Sequence, residues 1–144
     1  MSASYIYCWI MAETFETRLQ IASWDEQPYR QLDDGSKFSK ADVVLTGGGD
    51  GITEGTFEAL LYYRPDGTSS YVTLMQVTAN LGGRSGTFAL RGEGSYDGTT
   101  ARVLSSVIDG SQTGDLAGLA ATIESVSTQA DYPFMPMTVS YSIE

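Results

Sequence analysis

The chain has no histidine and one cysteine, Cys8, among its 144 residues. Without histidine there is no Ser-His-Asp triad, no Cys-His pair and no His-ligated zinc. One cysteine allows no disulfide within the chain and suits a cytoplasmic protein. Cations are scarce too: eight Lys and Arg face eighteen Asp and Glu, a formal net charge of −10. Such a chain repels nucleic-acid phosphates and anionic membrane surfaces, so neither is an expected partner. The charge reads chiefly as solubility. No metal site and no cofactor is expected. The Asp and Gly of Asp33-Asp34-Gly35 do not fill calcium-loop positions. Gly47-Gly48-Gly49-Asp50-Gly51 lacks the Lys-Ser/Thr and following helix of a phosphate loop. Long apolar runs are absent: the cluster from Tyr5 to Met11 has no basic flank and is too short to span a bilayer. Residues 1–11 are read as an extension or arm with a packing or assembly role, and 12–144 as one domain.

What the chain does have is turns. Sixteen glycines punctuate runs of β-branched and aromatic residues, and no stretch keeps a helical period. Pro65-Asp66-Gly67, Gly82-Gly83 and Asp97-Gly98 mark turns between strands. Strands are expected at 13–23, 37–46, 52–63, 70–81, 85–96, 99–108, 120–127 and 135–143. Pro28 makes 24–32 a loop, Gly92 and Gly94 suggest a bend or bulge, and 110–119 is irregular with one helical turn. Eight short strands in sequence predict an all-β fold, a closed antiparallel β-barrel of about eight strands. At that size the interior is either filled or holds one small ligand.

Four segments carry a family resemblance: Trp24-Asp25-Glu26-Gln27-Pro28-Tyr29, Tyr63-Arg64-Pro65-Asp66-Gly67-Thr68, Leu81-Gly82-Gly83-Arg84-Ser85-Gly86-Thr87-Phe88 and Thr113-Gly114-Asp115-Leu116-Ala117-Gly118-Leu119. In order and spacing they resemble a bacterial family of unknown function whose members look like the allene oxide cyclase barrel, distantly lipocalin-like. The resemblance implies the fold. It transfers no catalytic residue, since no cyclase motif is present.

The candidate chemistry is sparse. On the third strand Phe57, Ala59, Leu61 and Tyr63 form one face and Glu54, Thr56, Glu58, Leu60 and Tyr62 the other. If the odd face looks inward, Glu58 is a solvated charge. If the even face does, it is a buried carboxylate fit for acid–base work. Tyr71 and Met75 share a face of the fourth strand, where Met75 lines a pocket or fills the core. Arg91 and Glu93 share a face of the fifth, as a lumenal pair or a surface pair. Arg64 is expected to stack on Tyr29 or Tyr63. Trp24 and Tyr29 flank a segment that closes one mouth, as lid or plug, with the plug preferred. The candidate ligand-binding set is therefore Trp24, Tyr29, Tyr63, Tyr71, Met75, Arg91 and Glu93, with Glu58 the catalytic candidate.

Three functions compete: a carrier of a small hydrophobic molecule, a cofactor-free cyclase or isomerase holding a reactive substrate in an apolar cavity, and a filled barrel working only through its surface. Binding is favoured because no catalytic constellation is visible. Self-association into a homo-oligomer is expected through residues 1–11 or the strand at 134–143.

Overall fold

The computed structural model describes residues 12–49 and 51–143; the expected arm at 1–11 lies outside them. Eight strands follow one another: β1 (Glu13–Gln31), β2 (Lys37–Thr46), β3 (Gly51–Tyr63), β4 (Ser69–Leu81), β5 (Arg84–Tyr96), β6 (Thr100–Val107), β7 (Leu119–Thr128) and β8 (Phe134–Ile143). Each pairs antiparallel with its neighbour, and β8 returns to β1, with Glu13 opposite Tyr141, to close the ring. Short 3-10 turns occupy Gly114–Leu116 and Gln129–Asp131.

Period-two alternation decides which face looks inward. On β2 the buried set is Ala41, Val43 and Leu45; on β3 it is Phe57, Ala59 and Leu61; on β4 it is Met75, Val77, Ala79 and Leu81. Phe88 and Leu90 of β5 complete the far wall with Ile123 of β7 and Val139 of β8.

Three hairpins at one end share a single device, an Asp-Gly-Ser/Thr triplet. Asp34, Asp66 and Asp97 each accept a backbone N–H two residues on, from Ser36, Thr68 and Thr99, each at 2.9 Å. The intervening Gly35, Gly67 and Gly98 sit at φ of 93°, 89° and 102°, where a side chain would be strained. The Thr68 hydroxyl, then its N–H, holds the Asp66 carboxyl below its ordinary range, and the N–H bonds of Ser36 and Thr99 do the same for Asp34 and Asp97.

Two expectations are corrected. The 24–32 segment is not a loop: β1 runs through Pro28 to Gln31. β8 accompanies β1 only as far as Gln20, so beyond it β1 pairs with β2 alone. Pro28 therefore lies on an edge strand, next to a register shift between Pro28 and Arg30, where its missing N–H is tolerated. Nor is there a bulge at Gly92 or Gly94, since the β4–β5 ladder is continuous from Ser69 to Leu81.

Candidate functional site

The lumen divides into two halves. Toward the ends of β4, β6 and β8 it is solid, with Phe88, Leu19, Leu45, Ile52, Leu116 and Val139 all under 2% exposed. The loop after β6 caps this end. A Cβ on Gly86 would stand 2.1 Å from the Thr113 carbonyl, so only glycine lets that loop close on β5. Thr113 N–H donates to the Thr87 carbonyl at 2.9 Å and fixes the contact that presents Leu116 inward.

The other half holds a cavity of about 580 Å³ that opens among the Asp-Gly-Ser/Thr hairpins. Its walls are aromatic, with Trp24, Phe57, Tyr63, Tyr71, Tyr96 and Phe134. Met75 and Met135 add adaptable thioethers, and Ser69, Thr73, Ser125 and Ser127 a scatter of hydroxyls. Among the described residues no Asp, Glu, Lys or Arg lines it. Glycine makes room for this wall. A Cβ on Gly94 would stand 2.3 Å from the Tyr71 ring, and one on Gly92 2.4 Å from Ser105 Oγ. Tyr71 thus lies flat against the β5 backbone, and its hydroxyl donates to the Arg102 carbonyl at 3.3 Å.

One carboxylate organises the mouth. Glu26 accepts from Trp24 Nε1 at 3.0 Å on Oε1, and from Ser39 Oγ at 2.9 Å and Tyr63 OH at 2.7 Å on Oε2. Trp24 meets Phe57 edge-on, with centroids 6.0 Å apart. Burial, then the Glu26 bond, pushes the Tyr63 phenol far above its ordinary range; burial raises Tyr71 as well. Both therefore stand neutral at neutral pH. Glu26 has its oxygens engaged by three donors and serves to aim two ring systems. Among the described residues no group of His, Cys, Asp and Glu could hold a metal ion.

Of the residues singled out from sequence, the fold brings Trp24, Tyr63, Tyr71 and Met75 together on the cavity wall. Tyr29 packs instead beside Phe38, centroids 6.1 Å apart, off the lining. For Glu58 the structure selects the solvated charge over the buried acid, which removes it as a catalytic candidate: the even face of β3 points outward, and the 63% exposed carboxylate sits 3.5 Å from Lys40 Nζ. Arg91 and Glu93 likewise point outward, because the inward positions of β5 belong to Phe88, Leu90 and the glycines. Arg64 reaches neither Tyr29 nor Tyr63; it lies 5.9 Å from the Tyr62 ring and donates to Ser70 Oγ at 2.7 Å. Trp24 lines the open mouth, and the plug lies at the opposite end. Glu26 escaped notice because the register shift between Ile21 and Ser23 moves the inward face of β1 from odd to even positions. The Trp24-x-Glu26 spacing was its only sequence signal.

No curated protein matches this chain. A crystal structure of a DUF3224 protein of unknown function from Shewanella oneidensis MR-1 is similar, with a TM-score of 0.67 and 22% identity over 92% of this chain and 99% of that one. At that identity the likeness speaks for the fold alone. The profile of the family described as protein of unknown function (DUF3224) matches residues 15–137, and the chain belongs to that family.

Proposed function

We propose that this protein binds one small, uncharged and largely apolar molecule in the open half of its barrel. The observation that carries this reading is the 580 Å³ cavity walled by aromatic rings and hydroxyls, with no charged side chain among the described residues. That volume is the size of an ordinary small-molecule site, and the few polar groups fix orientation. A ligand carboxylate has no cation on this wall to receive it and loses its hydration on entry. A neutral planar molecule with one or two hydroxyl or carbonyl groups meets rings for stacking and hydroxyls for hydrogen bonds. A cyclase of the allene oxide cyclase-like type would begin from the same binding event. The resting site presents walls rather than a free base, which favours binding as the function.

The test uses N-phenyl-1-naphthylamine, an uncharged apolar fluorophore, titrated into the purified protein. A saturable rise in fluorescence with one site per chain is expected. Ala101→Trp, which fills the mouth, is expected to weaken it by about tenfold or more (~1.4 kcal/mol) with the circular dichroism unchanged. No saturable binding, or equal binding by the filled variant, overturns the reading.

A further inference from the structure

The outer face of the ring carries an apolar patch that the lumen does not explain. Leu60, Val72, Leu74 and Leu104 all point outward, Leu74 at 62% and Leu104 at 60% exposure. The strand register makes them neighbours. Across the sheet Lys40 faces Leu60, Leu60 faces Val72, and Val72 faces Glu93. One outward step along the strands, Asp42 faces Glu58, Glu58 faces Leu74, and Leu74 faces Arg91.

At three of their four places these two parallel rows complement one another; at the fourth, on β3, Leu60 lies beside Glu58. Lys40 in one lies beside Asp42 in the other, Glu93 beside Arg91, and Val72 beside Leu74. A second copy turned by a two-fold axis running across the strands, between the rows, lays each row on the other. Arg91 then meets Glu93, Lys40 meets Asp42, Leu74 meets Val72 at the centre, and Leu60 meets the stem of Glu58. Such a contact is self-complementary, as a two-fold interface must be, and it keeps the strands of the two sheets aligned. The charge balance fits as well. The two rows hold two cations against three acids, whereas the whole chain has eight against eighteen. Copies that repel elsewhere are nearly neutral to each other here.

We propose that the outward face of β2 to β5 is the interface of a homodimer, with Leu74 and Val72 as its apolar centre and Arg91–Glu93 pairs setting its register.

Sedimentation velocity across a wide range of concentration tests this on the full chain. The wild type is expected to dimerise, Leu74→Lys to remain monomeric, and Arg91→Glu to dimerise about tenfold or more weakly. The double variant Arg91→Glu, Glu93→Arg is expected to recover the dimer, because the two-fold brings the exchanged charges together in reverse. All of these side chains are outward-facing, and near-ultraviolet circular dichroism confirms that each variant is folded. A wild type that stays monomeric throughout overturns the proposal. So does a dimer indifferent to Leu74→Lys, including one held by residues 1–11, or a double variant no better than Arg91→Glu alone.

Discussion

The two ends of this barrel are made of the same strands and differ in what fills them. At one end β5 contributes Phe88 and Leu90, and Leu116 descends from the loop to seal the space. At the other, the same strand contributes Gly92 and Gly94, and the space stays open beside Tyr71. A change of four residues along one strand thus converts core into cavity. Dense packing and open space are separated along the barrel axis: tight contacts at one end let the other forgo contacts it would otherwise need.

Three perturbations sharpen that contrast. The largest effect belongs to the sealed end. Phe88→Ala removes a side chain with no exposure and is expected to lower stability by about 3–5 kcal/mol in urea unfolding. A cost as small as that of a surface change would mean the sealed end is not where stability resides. At the open end, Glu26→Gln leaves one acceptor for donors that now share two oxygens. It is expected to cost about 1–2 kcal/mol and to shift the Trp24 emission. Unchanged emission would show that Glu26 does not hold that ring. The smallest effect is a pH dependence. Tyr63 and Tyr71 have folded pKa values raised above the unfolded phenol value. Their neutral forms contribute stability that is complete below a pH of about 10 and is lost as the pH rises toward the folded values. The urea midpoint of the wild type should therefore fall more steeply above that pH than the midpoint of Tyr63→Phe. Parallel profiles would place the Tyr63 phenol in ordinary solvent.

Much of this contrast is legible from the residues. Val43, Phe57 and Val77 sit in clean alternation, and the Asp-Gly-Ser/Thr triplets state three of the hairpins. The cavity wall is half legible, since Tyr63, Tyr71 and Met75 follow once the faces of β3 and β4 are fixed. Three things were hidden by physics that a single strand does not carry. The register shift after Ile21 swaps the faces of β1, so Trp24 and Glu26 could not be placed by counting. Gly92 and Gly94 answer to a ring and hydroxyls on other strands, invisible along β5 itself. The outward leucines also confuse the pattern: on β4, Thr73 is buried while Leu74 is exposed, so alternation alone gives no sign of which face belongs to the core.

A closed ring is usually credited with having no edge to defend, yet β1 outruns β8 beyond Ile21, whose N–H still reaches the Pro133 carbonyl, as far as Gln31. That overhang offers a free strand on which another chain's backbone would otherwise assemble, the route to open-ended aggregates. It is also the stretch that carries Pro28, with Asp25 and Arg30 close by. Proline denies an incoming strand one hydrogen bond, and the charges make its approach costly. The motif that shapes the mouth therefore also makes the overhang a poor template for an added strand.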